Sequence, residues 1–257
     1  GILPGILLML LFMIAIVIVT WYNPSLAPPG PKASWEDSFK AFRSGGLWEI
    51  SIVFIISLGG LFSGWFTPTE AGAVGSISLL VIVSIEKKFS FEMLKLSLYN
   101  TTRLTAMVFL LIAAATVFGR FFALTRIPAQ LGILVTELQL PSFAVMGIVI
   151  LIYFVLGFVV DALALIVITI PIFYPLIINT LGYDPIWFGV VVLLVVSLGV
   201  ITPPIGLNVY VMKGVAPEVP LETIFKGVWP FVIALLVCIA ILIAFPPIAT
   251  FLPNLFY

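Results

Sequence analysis

The chain has 257 residues, of which 63% are hydrophobic and 9% charged, and its mean hydropathy is +1.32. Ordinary soluble domains are about half apolar and about a quarter charged, so this composition excludes a soluble globular fold and describes a protein whose solvent is the lipid bilayer. The 11 basic and 11 acidic residues cancel, histidine is absent and Cys238 is the single cysteine, which together exclude a cationic nucleic-acid surface, histidine acid–base chemistry, a His/Cys metal cluster and an internal disulfide.

A helix needs about twenty apolar residues to cross the hydrocarbon core. Such stretches occur at residues 1–22, 47–65, 71–85, 98–122, 185–212 and 227–245. The first begins at Gly1, with neither the charged leader nor the small-residue cleavage site of a signal peptide, and is read as following a cut or an upstream part. Residues 23–46 are a loop, rich in Pro and Gly in its first part, and 47–65 with 71–85 form an up-and-back pair. Residues 127–138 mix polar and apolar side chains and read as a helix lying at the membrane interface.

The stretch 143–179 is too long for one span and is interrupted at Val160-Asp161-Ala162, so it is expected to form the two arms of a re-entrant hairpin. The stretch 185–212 is broken at Thr202-Pro203-Pro204-Ile205-Gly206, where consecutive prolines remove two amide donors and cannot continue a helix. The last stretch opens with Gly227-Val228-Trp229-Pro230, an echo of Gly1-Ile2-Leu3-Pro4. Similar segments running in opposite directions are what an inverted repeat leaves behind.

Orientation follows the basic residues. Lys32, Lys40 and Arg43, then Lys87, Lys88 and Lys95, then Lys213 and Lys226 mark three cytoplasmic loops, while Arg120 and Arg126 fall outside. On this topology the hairpin dips in from outside and the chain ends outside. Trp21, Trp48, Trp65, Trp187 and Trp229 lie close to proposed helix ends, as an interfacial aromatic belt would.

Three places can carry chemistry. Asp161 stands between apolar arms with no basic neighbour in sequence, and a carboxylate at membrane depth is costly unless used. The structural alternative is that it caps the helix that follows, and a hairpin turn can do both, because it supplies free carbonyls from one arm and free amides from the other. The break Thr202-Pro203-Pro204-Ile205-Gly206-Leu207-Asn208 frees carbonyls that lipid cannot satisfy. With a Thr hydroxyl, an Asn amide and one carboxylate these form a hard oxygen shell suited to sodium; the alternative is a proline kink used for packing. In Thr67-Pro68-Thr69-Glu70-Ala71, Thr69 is expected to cap a helix starting near Glu70. Arg103 is expected to snorkel, and the pairs Gly45-Gly46 and Gly59-Gly60 read as close helix packing.

Taken together, Ser63 to Ala71 with its Thr67-Pro68-Thr69-Glu70-Ala71 core, Gly157 to Asp161, Gly182-Tyr183-Asp184-Pro185 and Ile201 to Asn208 resemble the C-terminal half of the large membrane subunit of tripartite ATP-independent periplasmic (TRAP) transporters, over nearly the whole chain. The resemblance implies an all-α integral membrane protein, with transmembrane helices, a re-entrant hairpin and a broken helix, forming one half of an inverted-repeat elevator-type transporter. It divides the chain into 1–22, the last helix of the preceding repeat; 23–46, a cytoplasmic loop; 47–138, mainly scaffold helices with the interfacial helix; 139–213, the hairpin and broken helix of a transport domain; and 214–257, a cytoplasmic connection and the final helix.

The implied activity is sodium-coupled import of organic acids, dicarboxylate or sialic-acid-like. The implied setting is a bacterial or archaeal inner membrane, which the protein crosses several times. The implied partners are a small membrane subunit, a periplasmic substrate-binding protein, the missing N-terminal half of the same subunit and the lipid bilayer, with sodium as coupling ion and no other cofactor. On this mapping Gly157, Asp161, Thr202, Pro203, Gly206 and Asn208 surround the ion, with Asp161, Thr202 and Asn208 as ligands. Asp161, Ala162, Pro204, Thr67 and Thr69 contact the substrate. A related dicarboxylate/sodium symporter working without a binding protein is the alternative. An intramembrane enzyme is disfavoured by the absence of histidine and of paired intramembrane carboxylates, and a channel by the lack of a continuous polar lining.

Overall fold

A computed structural model of the chain describes residues 1–26, 34–37, 40, 46–203 and 206–256. Among them the ordered elements are helical: α1 (Ile2–Tyr22), α2 (Leu47–Phe62), α3 (Pro68–Ile85), α4 (Phe91–Thr125), α5 (Ile127–Glu137), α6 (Ser142–Gly157), α7 (Ala162–Tyr174), α8 (Pro185–Ile201), α9 (Leu207–Val215), α10 (Leu221–Ala244) and α11 (Pro247–Phe256), with a 3₁₀ turn at Pro24–Leu26 and a π-helical turn at Pro175–Thr180. Among the described residues five helices are long and apolar enough to cross a membrane: α1, α3, α4, α7 continued through the π-helical turn, and α10; α2, α6 and α8 are shorter apolar helices. The fold is that of an all-α protein compatible with integral membrane insertion. Lys32, Arg43, Gly45 and Pro204 lie outside the described residues.

The chain divides into two compact units, residues 28–107 and residues 1–27 with 108–257. In the first, α2 packs on α3, and Ser57 Oγ donates a 2.7 Å hydrogen bond to the Ala71 carbonyl. The sequence reading placed the start of α3 near Glu70 under a Thr69 cap. The cap is instead Thr67, whose Oγ1 accepts from the Glu70 amide at 3.3 Å while Glu70 Oε2 accepts from the Thr67 amide at 2.8 Å. Pro68 occupies the first helical position, where its fixed φ suits the helix and its missing N–H costs nothing, so the helix starts earlier than expected. Gly60 lies under the Phe66 ring, whose atoms fill the place of a side chain, so this glycine makes room for the turn's own aromatic and not for a second helix. Glu49 is 8% exposed and its Oε2 is buried without a hydrogen-bond partner. At the loop after α3, Lys88 Nζ lies 2.9 Å from Glu86 Oε2; this contact, and after it the adjoining Glu49 carboxyl, hold Glu86 below the usual carboxylate range.

In the second unit α8 is the central helix, packed by α6, α7, α9, α10 and α11, and its buried face runs through Phe188, Val191, Val192, Val195 and Val196. Asp184 caps α8 by accepting from the Ile186 and Trp187 amides at 2.8 and 2.9 Å, and Gly182 turns the chain at φ +75°. Trp187 was expected in the interfacial belt. It is 2% exposed, stacked on Tyr183, and its indole N–H donates 2.7 Å to the Leu242 carbonyl, a partner that lets it sit in the core. α10 begins at Leu221, so Gly227-Val228-Trp229-Pro230 lies inside that helix and does not open it, as the sequence had suggested. α11 had no counterpart in the sequence reading; Pro246 and Pro247 end the long helix and restart a short one.

The arms of the expected hairpin are α6 and α7 with its π-helical continuation, joined by residues 158–161. A buried 2.7 Å hydrogen bond joins Thr169 Oγ1 to Tyr153 Oη between the arms. The expected broken helix is present as well: α8 ends at Ile201 and α9 resumes at Leu207.

Candidate functional site

Four helix ends meet at one cavity. Gly157 closes α6, Ala162 opens α7, Ile201 closes α8 and Leu207 opens α9, and all four line a space of about 620 Å³ with Asp161, Ser197 and Asn208. Helix C-termini present carbonyls without partners and helix N-termini present free amides. The cavity wall therefore carries both signs of partial charge, suited to a cation at one place and a carboxylate at another. The aromatic pair Phe12 and Phe231, edge to face at 5.2 Å, closes part of the wall.

Asp161 is the N-cap of α7: Oδ1 accepts from the Leu163 amide at 3.0 Å and the Ala164 amide at 3.3 Å. Its Oδ2 makes no hydrogen bond among the described residues and is free for a ligand. Capping thus engages one oxygen of the carboxylate and leaves the other without a hydrogen-bond partner among the described residues. Asn208, in the first turn of α9, lines the same cavity with its side-chain amide unengaged among the described residues. The hairpin turn and the helix break, separate in sequence, are brought to a common space.

The other proposed ion-site residues are placed differently. Thr202 is buried, and its Oγ1 donates 2.6 Å back to the Leu198 carbonyl. Thr202, Pro203 and Gly206 do not line the cavity. Gly206 adopts φ +55°, and a Cβ there would lie 2.9 Å from Phe225 Cε1, so this position takes glycine for conformation and space. Thr67 and Thr69 belong to the unit of residues 28–107, where the Thr67 hydroxyl is committed to the capping box.

Sequence reasoning missed Ser197. Its Oγ donates 2.7 Å to the Leu193 carbonyl, which leaves oxygen lone pairs toward the cavity. The signal was present: Ser197 is a polar residue on the apolar helix α8, one turn before Ile201 and so on the same face as the helix end. Asp161 Oδ2, Asn208 Oδ1 and Ser197 Oγ are hard oxygen donors of the kind an alkali cation takes. Among the described residues no cluster of three or more His, Cys, Asp or Glu side chains could hold a metal ion, so any cation here would depend on neutral oxygens beside a single carboxylate.

The profile of the family described as "Tripartite ATP-independent periplasmic transporter, DctM component" matches residues 1–248. The chain is 33% identical over 255 residues to the C4-dicarboxylate TRAP transporter large permease protein DctM of Pseudomonas aeruginosa, covering 99% of the chain and 58% of that relative. It is 31% identical over 261 residues to the sialic acid TRAP transporter large permease protein SiaM of Vibrio cholerae, covering 100% and 59%. It is 34% identical over 260 residues to the ectoine TRAP transporter large permease protein TeaC of Halomonas elongata, covering 99% and 58%. The chain thus spans a little over half the length of these relatives.

Proposed function

Because the chain belongs to the DctM-component family of tripartite ATP-independent periplasmic transporters, we propose that the permease containing it imports organic acids, received from a periplasmic binding protein and driven by sodium. The observation that carries this reading is the shared cavity: Asp161 from the hairpin turn and Asn208 from the helix break face one space where four helix ends meet. A sodium ion held there by Asp161, Asn208 and Ser197 would tie the hairpin to the broken helix. The amides that open α9, beside Asn208, would face the carboxylate of the substrate.

In this reading the hairpin is re-entrant, the unit holding it moves as an elevator, and ion binding closes the hairpin before the loaded unit crosses. The substrate is an acid of the dicarboxylate or sialic-acid-like class. The names of the three relatives point to C4-dicarboxylate, sialic acid and ectoine. The permease sits in a bacterial or archaeal inner membrane with a small membrane subunit and the remainder of the large subunit. Its role is transport and not catalysis.

The test is uptake into proteoliposomes holding the intact large subunit with its small partner, with a sodium gradient and the binding protein each present or withheld. Uptake that requires both is the expected result. Sodium-driven uptake that is indifferent to the binding protein would favour a dicarboxylate/sodium symporter that binds its substrate directly. Uptake unaffected by removing sodium would refute the coupling.

A further inference from the structure

A second cavity, of about 370 Å³, opens between the end of α4, the start of α5 and the π-helical turn, away from the hairpin turn. Its wall changes character along its length. At one end Gly119 and Pro171 approach each other, the position of a Gly119 Cβ lying 3.6 Å from Pro171, and Phe122 adds to an apolar floor. Arg126, the residue after α4, follows about 10 Å further on at the helical rise per residue, and lines the other end with Asn179 and Thr180.

Several independent features give that polar end the chemistry of an anion site. Arg126 takes φ +55° where α4 ends and the chain turns into α5, which sets it at the rim of the cavity. Its guanidinium makes no hydrogen bond or ion pair among the described residues. The first turn of α5, Pro128 and Ala129, also lines the cavity and turns the positive end of that helix toward it. Thr180 is held by the close approach of α5, since a Cβ on Gly132 would lie 2.9 Å from Thr180 Oγ1. Asn179 and Thr180 end a π-helical turn, a geometry that recurs at functional sites.

We propose that this cavity holds one phospholipid, with its phosphate against Arg126, Asn179 and Thr180 and the start of an acyl chain over Gly119 and Pro171. A soluble anion would use only the polar end. A phospholipid uses both, because its charge and its hydrocarbon follow in the order in which the wall changes, at the end of a helix long and apolar enough to span the bilayer.

The test is thermal unfolding of the intact permease in neutral detergent, titrated with short-chain phosphatidylglycerol and, separately, with inorganic phosphate. The lipid should raise the unfolding midpoint and phosphate at the same concentration should not. Arg126→Gln should weaken the apparent lipid affinity about tenfold, as loss of a charge-assisted contact does. Thr180→Val, which keeps the shape, should weaken it by a smaller factor and decides the matter if Arg126→Gln fails to fold. Arg120→Gln, outside the cavity, should leave it unchanged. Equal stabilisation by phosphate, or wild-type lipid affinity in both cavity variants, would overturn the proposal.

Discussion

Gly157 and Gly199 meet backbone to backbone: a Cβ on Gly199 would lie 2.8 Å from Gly157 Cα and 3.0 Å from the Phe154 carbonyl oxygen. Gly157 is the last residue of α6 and Gly199 lies two residues before the end of α8, so this contact sets the hairpin turn beside the helix break. Small residues let helix backbones approach where lipid supplies no hydrophobic drive between helices. The cavity with Asp161 and Asn208 exists because these two positions carry no side chain.

Gly199→Ala is therefore expected to force α6 and α8 apart, destabilising the permease by about 1–3 kcal/mol, the range of core overpacking. Gly189, on the same helix, has nothing within 4 Å of its would-be Cβ, and Gly189→Ala should be neutral or mildly stabilising. Unfolding midpoints of the two variants, with uptake measured in parallel, check this. Equal behaviour of the two alanines would remove the crossing contact from the account.

Asp161→Asn and Asp161→Ala separate helix capping from the proposed ion binding. Asparagine caps a helix about as well as aspartate, so Asp161→Asn should fold as the wild type yet need a sodium concentration about tenfold higher for half-maximal uptake. Asp161→Ala should lose, in addition, about 1 kcal/mol of stability with the cap. Normal sodium dependence in Asp161→Asn would assign the carboxylate to capping only.

The positive-inside pattern predicts that Ser34 and Asn254 lie on opposite sides of the membrane. Cysteines placed at these positions in a Cys238→Ser background should react with a membrane-impermeant thiol reagent from opposite faces of intact cells. Labelling of both from outside would contradict this topology and with it the inverted-repeat reading.

Glu49 predicts a gain. Its Oε2 is buried without a partner, so Glu49→Gln replaces a buried carboxylate with a neutral amide of the same shape. The unfolding midpoint should rise, by an amount corresponding to about 1 kcal/mol. A fall would contradict this and show that the carboxyl stabilises the fold through Glu86.

The hairpin and the helix break were legible because their signals are local: Asp161 interrupts an apolar run, and Pro203-Pro204 cannot continue a helix. What was not legible depended on partners far away in sequence. Trp187 reads as an interfacial residue until the Leu242 carbonyl is seen to take its N–H, and Gly199 reads as one small residue among many until its register against Gly157 is known. Thr202 reads as a ligand because it adjoins the prolines, and Ser197 draws no attention in an apolar run. Helix geometry decides otherwise: Ser197 shares a face with Ile201 and reaches the cavity, while the Thr202 hydroxyl turns back onto α8.

The central claim, that the hairpin turn and the helix break share one coupling ion, is tested most directly by a double-mutant cycle on the sodium dependence of uptake, with Asp161→Asn, Asn208→Leu and the pair together in the intact permease. If both side chains hold the same ion, each single variant should raise the sodium concentration for half-maximal uptake, and the double variant should be much less impaired than the product of the single effects. Purely multiplicative effects, or an unchanged sodium dependence in either single variant, would contradict it.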